Sequence, residues 1–284
     1  MENISDVKMM GQRCEKLRRQ GRRIAFVPTM GYLHEGHLSL LHEGRRRGDI
    51  LALSIFVNPI QFGVGEDFET YPRDLQRDSD LARAAGVDLL FTPRREDLYP
   101  EDFSTHVSVS GLTENLCGRS RPGHFRGVTT VVCKLFNIVR PHIALFGRKD
   151  FQQLAVIRRM VRDLDMAVEV RGLPIIREKD GLARSSRNVY LEAEERRQAL
   201  ALVDSLRLAR RLVLAGESRA AVILQAVADR IRREEAVRIE YVQICHQDTL
   251  QDMEWVTADS VLLLAVQVGR TRLIDNHILW EEIT

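Results

Sequence analysis

The densest chemistry in the chain lies in Pro28-Thr29-Met30-Gly31-Tyr32-Leu33-His34-Glu35-Gly36-His37-Leu38. The block follows the strand-like run 23–27 (RIAFV), which the pattern ends at Pro28, and it opens a segment with helical spacing over 38–47. A strand, a glycine-containing loop and a helix start, in that order, make a phosphate site. The loop lets backbone approach the anion, and the first helical turn offers unpaired N–H groups and a partial positive charge. His34 and His37 are three apart, so in a helix they share a face. Two imidazoles at such a place suit the stabilisation of negative charge developing on phosphorus. Two rival readings exist. His34 and His37, with His42, could gather zinc, but the metalloprotease order H-E-x-x-H is replaced by H-E-G-H and no cysteine is near. Or the block merely caps a helix, the favoured reading for one histidine alone.

No Walker loop is present, because the pair Gly-Lys occurs nowhere, and G-x-G-x-x-G is also missing. Phosphate chemistry here must use another framework. Only five of the 42 basic residues are lysines: Lys8, Lys16, Lys134, Lys149 and Lys179. A lysine inside a motif therefore stands out, since a compact ammonium is not interchangeable with a guanidinium.

These residues need elements to hold them. Strand-like runs at 50–57 (ILALSIFV), 87–91, 143–146 and 167–170 alternate with helix-like runs at 38–47, 71–85, 128–139 and 151–163. Such alternation predicts βαβ crossovers and a mainly parallel sheet. Ligands then bind in the loops beyond the carboxyl ends of the strands, where Asn58 and Gln61 follow 50–57. Alone, those two amides read more readily as a loop satisfying its own backbone. After about Pro174 the pattern changes to two long amphipathic helices, 192–214 and 219–233, and three strand-like runs, 237–245, 260–268 and 272–278, the last two joined by Gly269-Arg270. The fold class expected is α/β: a Rossmann-like parallel-sheet N-terminal domain over 1–175, with a smaller α+β C-terminal domain over 176–284.

The bulk properties agree with that size. The 284 residues are 44% hydrophobic and 29% charged, ordinary for a globular chain with a real core. The longest apolar runs fall far short of the roughly 20 residues that cross a bilayer. The formal net charge of +2 gives no support for a nucleic-acid partner. Four widely spaced cysteines without C-x-x-C suggest free thiols in a reducing compartment. With no apolar leader near Glu2 and Asp6, the expected location is the cytoplasm.

The block P-T-M-G-x-L-H-E-G-H resembles the signature of the pantothenate synthetases, adenylate-forming members of the H-x-G-H nucleotidyltransferase superfamily. The likeness continues through Phe56-Val57-Asn58-Pro59-Ile60-Gln61-Phe62-Gly63, Tyr71-Pro72-Arg73 and Gly123-His124-Phe125-Arg126-Gly127-Val128. It goes on in Gly147-Arg148-Lys149-Asp150-Phe151-Gln152-Gln153-Leu154 and closes in the run 177–188 (REKDGLARSSRN). The resemblance implies an ATP-dependent ligase that joins pantoate to β-alanine. Pantoate's carboxylate attacks the α-phosphorus, pyrophosphate leaves, and β-alanine displaces AMP from pantoyl adenylate. It implies an ATP site lined by Met30, Gly31, Tyr32, Leu33, His34, Glu35, Gly36 and His37, with His37 as proton donor or oxyanion stabiliser and His34 beside it. Gly147, Arg148, Lys149 and Asp150 would continue that site, Lys149 bringing charge to the α-phosphate and Asp150 accepting from ribose hydroxyls or capping the next helix. Ile176 would meet adenine through its backbone. Ser185, Ser186 and Arg187 would clamp the β- and γ-phosphates, although a Ser-Ser turn also caps helices. Gln61, Gln153 and Asn58 would hold pantoate, the two glutamine amides binding its hydroxyls without neutralising the nucleophilic carboxylate. The resemblance also implies a homodimer, and Mg2+ delivered with ATP.

Two positions depart from the family pattern: Arg184, where Met or Leu is usual, and Arg148, where Glu or Gln is common. His106, His124, His142, His246 and His277 read as structural or exposed rather than catalytic, with contact to substrate or a second subunit left open for His124 because it sits in a glycine-flanked loop leading into a helix. The H-x-G-H motif alone also permits a transferase that leaves its nucleotide on the product, or a non-catalytic nucleotide-binding regulator.

Overall fold

The structure is a computed structural model and describes residues 1–283. It divides into two compact units. The first comprises Met1–Ser110, Arg121–Arg148 and Val156–Pro174; the second comprises Gly111–Ser120, Lys149–Ala155 and the chain from Ile175 onward.

The elements run in the order β1 (Glu2–Ile4), α1 (Val7–Arg19), β2 (Ile24–Thr29), α2 (Glu35–Arg47), β3 (Ile50–Ile55), α3 (Leu75–Ala84), β4 (Leu89–Phe91), α4 (Arg95–Leu98), α5 (Cys117–Ser120), α6 (His124–Val139), β5 (Ile143–Gly147), α7 (Phe151–Asp163) and β6 (Glu169–Leu173). There follow α8 (Ala193–Ala199), α9 (Ala201–Leu214), α10 (Ala220–Ile231), β7 (Val237–His246), β8 (Ser260–Val268) and β9 (Thr271–Ile278). The architecture is α/β: a six-stranded parallel sheet with helices, and a small antiparallel sheet near the C-terminus.

The first unit holds the six strands in the order β1-β4-β3-β2-β5-β6, every pair parallel. Its central strands are apolar without alternation because both faces are covered. Ala25, Val27, Leu51, Leu53, Ile143 and Leu145 bury against Leu40 and Leu41 of α2. Since β3, β2 and β5 are parallel neighbours, their carboxyl ends share one edge, and the loops that leave it carry the motifs.

Pro28 does not end β2, which continues through Thr29. On the β5 side pairing stops at Phe26, so no ladder bond is lost where proline lacks its N–H; on the other side β3 stays in register to Ile55. Helix α6 starts at His124 rather than at 128, so 124–127 is a first helical turn and not loop.

The second unit packs α9 and α10 on the sheet β7-β8-β9. Leu202, Leu206, Ile223, Val227, Leu262, Leu264 and Val266 form its core. The two-residue Gly269-Arg270 connection makes the expected hairpin, with Val268 opposite Thr271. The long helix expected over 192–214 is two, separated at Leu200, whose N–H bonds back to Arg197 three residues earlier. Among the described residues no helix is long and apolar enough to cross a membrane.

Candidate active site

At the end of β2 the chain turns and enters α2 with His34 as the N-cap. His34 is therefore not helical, yet its ring lies 4.1 Å from that of His37, centroid to centroid, at 32°. The His34 Nδ1 accepts from the Gly36 N–H at 3.1 Å, and the His37 Nδ1 accepts from the His34 N–H at 3.3 Å. This is a capping box built from two imidazoles, with each partner satisfying an N–H that the helix start leaves unpaired. A nitrogen that accepts must keep its lone pair, so each neutral ring carries its proton on Nε2. Gly36 has a steric role here: a Cβ at that position would stand 2.9 Å from His34 Cε1. The spacing H-x-G-H thus leaves room for one ring to fold back over the first turn.

This corrects the expectation that bare backbone N–H groups cradle an anion. The N–H groups of Tyr32 and Leu33 donate to the Asp78 carboxylate at 2.6 and 2.7 Å. That of Gly31 reaches Thr29 Oγ1 at 3.3 Å, and that of Gly36 is taken by His34. The backbone of Met30–His37 is largely committed inward, and the ring nitrogens that its caps do not use are the Nε2 atoms of His34 and His37. Capping and catalytic readings of the histidines are compatible, because they use different nitrogens.

The loop after β3 forms a 3-10 turn, Pro59–Gln61. Asn58 is 1% exposed and its amide is engaged on three sides. It donates to Gln61 Oε1 at 3.0 Å and to the Gly127 carbonyl at 3.1 Å, and accepts from the Tyr99 hydroxyl at 2.8 Å. Asn58 therefore supports Gln61 from behind. Gln61 turns its Nε2 to Met30 Sδ at 3.1 Å, which joins the β3 loop to the histidine loop. Helix α6 backs this turn. At Gly127 an added Cβ would lie 2.5 Å from the Ile60 carbonyl oxygen and 2.6 Å from Gln61 Cα. His124 donates from Nδ1 to the Gln61 carbonyl at 2.8 Å and accepts from Arg121 at Nε2. Arg121 in turn forks onto Glu66, with its Nε 2.7 Å from Oε1. Burial alone would push the Glu66 carboxyl up, but the Arg121 guanidinium outweighs it and holds it below the ordinary glutamate value.

Gly147 closes β5 and Arg148 follows it, on the sheet edge that carries the other loops. The remaining expected residues belong to the second unit. Lys149 and Asp150 continue a single 3-10 turn that runs directly into α7. The Lys149 carbonyl accepts from Asn276 Nδ2 on β9 at 2.8 Å. Gln153 lies half-buried in the first turn of α7. Its neighbour Gln152 is 4% exposed and bonds the Leu112 and Asn115 carbonyls and the Cys117 N–H, strapping down the segment before α5.

Ser185 caps a 3-10 turn, Ser186–Tyr190, by accepting from the Arg187 N–H at 3.3 Å, and Ser186 is buried. The Ile176 carbonyl receives the Arg184 N–H at 2.9 Å. The Arg184 side chain is paired with Glu178 at 2.9 Å, and Arg196 bridges Glu178 and Asp180 at 2.6 Å each. The unusual arginine thus has an ion-pair partner next to the serines. Arg177, half-buried, and Asp275, buried, form a two-pronged pair at 2.7 and 3.1 Å that fastens this segment to β9.

Asp78, Tyr99, Gln152 and Asn276 went unnoticed in the sequence. Nothing in DLQRDSD distinguishes Asp78 from Asp74 or Asp80; only its burial does. The Gly123–Gly127 block did signal its region, and it packs against the turn that carries Gln61. Among the described residues no group of three or more His, Cys, Asp or Glu is placed to hold a metal ion.

Comparison with known proteins places this arrangement in context. A family model described as pantoate-beta-alanine ligase matches residues 2–278. A pantothenate synthetase of Syntrophotalea carbinolica is 62% identical over 283 residues, which cover 100% of both chains. The crystal structure of pantothenate synthetase from Thermus thermophilus superposes with a TM-score of 0.94 at 46% identity, over 99% of this chain and 100% of that one. A pantoate-beta-alanine ligase from Francisella tularensis, crystallised with beta-gamma ATP and beta-alanine, gives a TM-score of 0.82 at 30% identity over the whole of both chains.

Proposed function

The chain belongs to the pantoate-beta-alanine ligase family, and from that premise we propose how its residues carry out the reaction. The enzyme forms pantothenate from pantoate and β-alanine with ATP. A carboxylate is a poor acyl donor, because its leaving group would be an oxide. Transfer to the α-phosphate makes AMP the leaving group. In the first step a pantoate carboxylate oxygen bonds to the α-phosphorus and the bond to pyrophosphate breaks. In the second the β-alanine amine attacks the acyl carbon and AMP departs. Neither step needs covalent help from the protein, so positioning and charge stabilisation carry the catalysis.

The observation that supports this most is the imidazole capping box. Two rings accept helix N–H bonds at Nδ1 and so hold their Nε2–H groups as fixed donors at the positive end of α2. We assign His37 to the charge developing on the α-phosphate, with His34 beside it, and Lys149 as the mobile cation. Met30, Gly31, Tyr32, Leu33, Glu35, Gly36, Gly147 and Arg148 shape the nucleotide's surroundings. Asp150 accepts from ribose, the Ile176 backbone meets adenine, and Ser185, Ser186 and Arg187 hold the β- and γ-phosphates, with Arg184 kept beside them by Glu178. Gln61 and Gln153 bind pantoate, and Asn58 orients Gln61.

Mg2+ belongs to the proposal as the ion that enters with ATP, whose phosphate oxygens and waters supply most of its ligands. A homodimer rests on the family resemblance. A cytoplasmic setting fits four cysteines that are all free thiols, two of which, Cys14 and Cys245, are pushed up to about 12 by burial and so kept unreactive.

Isotope tracing tests the route. With pantoate labelled by 18O in its carboxylate, one label should appear in the phosphate of AMP for each pantothenate formed. Unlabelled AMP would exclude attack by that carboxylate on phosphorus.

A further inference from the structure

We propose that Asp78 is a positioning residue for the phosphate-facing histidines, its buried carboxylate seated against the Tyr32 and Leu33 N–H groups and thereby fixing where His34 and His37 stand. The inference rests on the assignment of those histidines to the reacting phosphate and extends it to a residue on another element.

The geometry begins with the backbone. Gly31 has φ 85° and Tyr32 φ 50°, two successive residues in the left-handed region. The turn aims the next two N–H groups, those of Tyr32 and Leu33, at a single carboxylate. In this loop the anion is supplied from within. Asp78, in the first turn of α3, accepts from Tyr32 at 2.6 Å with Oδ2 and from Leu33 at 2.7 Å with Oδ1. The residue is 1% exposed. Both oxygens are therefore used, on adjacent N–H groups, directly before the N-cap His34. Arg77 adds a longer ion pair at 3.7 Å, and its guanidinium lies 5.2 Å over the Tyr32 ring. Burial holds the Asp78 carboxyl above the ordinary aspartate value and the two N–H groups offset part of that, so its ionised form depends on the loop just as the loop depends on it.

A tyrosine in the left-handed region is strained and needs an outside hold. Asp78 is that hold. Without it the turn loses its anchor one residue before the imidazoles, whose Nε2–H groups must sit within a fraction of an ångström of the developing charge. Asparagine in its place keeps one acceptor and turns an NH2 group onto the other backbone N–H. Serine removes the charge and leaves room for water.

The test measures pantoate-dependent exchange of pyrophosphate into ATP, per folded molecule, for Asp78→Asn and Asp78→Ser, with thermal melts to establish the folded fraction. The same substitution is made in a His37→Ala background, and pantoate affinity is read by calorimetry. Positioning predicts an exchange rate lowered roughly 10- to 100-fold in folded Asp78→Asn, unchanged pantoate affinity, and a much smaller further loss when His37 is already absent. A rate per folded molecule equal to wild type, or a loss that multiplies fully with that of His37→Ala, would overturn the role. If His37→Ala itself exchanges at the wild-type rate, the assignment of the histidines fails first and the proposal falls with it.

Discussion

The imidazoles at the start of α2 cap the helix through Nδ1, and the role proposed for them uses Nε2, so substitution can separate the two. His37→Ala removes both the Nδ1 acceptor and the Nε2–H donor, and should lower turnover roughly 10²- to 10³-fold, the cost of losing one charge-stabilising donor. His37→Asn places an amide oxygen near the Nδ1 position, so it should retain the cap and most of the melting temperature while losing a similar share of the rate. Steady-state kinetics beside calorimetric melts checks this; a His37→Asn enzyme that turns over normally would contradict the role of Nε2. The residue types and their spacing were legible in the sequence, because a glycine between two histidines after a strand is a rare combination. Which nitrogen faces which partner was not, since that depends on a ring folding back over Gly36.

At the scale of elements, α6 presses on the 3-10 turn that carries Gln61, and Gly127 is the point of contact. Gly127→Ala places a methyl against the Ile60 carbonyl and should cost about 1–3 kcal/mol as overpacking, with weaker pantoate binding as the turn is displaced. Thermal melts and pantoate titration read the two effects. The Glu66–Arg121–His124 chain holds the same turn from the side. Because the Glu66 carboxyl is depressed in the folded state, its contribution is present above the ordinary glutamate value and fades as pH falls through the folded one. The melting-temperature gap between wild type and Glu66→Gln should therefore be widest near neutrality and shrink as pH drops below about 4. A gap independent of pH would remove Glu66 from the account. Hydrophobic runs revealed β3 and β8 readily, since buried strands are apolar from end to end. The first 22 residues gave no such signal: α1 buries only Met10, Cys14 and Leu17 amid basic residues, and β1 is three residues long. Pro28 suggested a strand end because the sequence does not show which neighbour each N–H must meet.

At the scale of the whole molecule, the change of pattern near Pro174 falls where the chain passes into the second unit for good. The two short pieces that also join that unit, Gly111–Ser120 and Lys149–Ala155, were not legible. Their membership depends on Gln152 reaching Leu112, Asn115 and Cys117 and on Asn276 reaching Lys149, contacts that no local pattern encodes. On the route proposed, the molecule activates pantoate as an adenylate before the amine takes part. Radiolabelled pyrophosphate, incubated with enzyme, Mg2+ and ATP in the absence of β-alanine, should enter ATP rapidly when pantoate is present and negligibly when it is withheld. Exchange that ignores pantoate, or that appears only once β-alanine is added, would contradict an adenylate formed from pantoate and ATP alone.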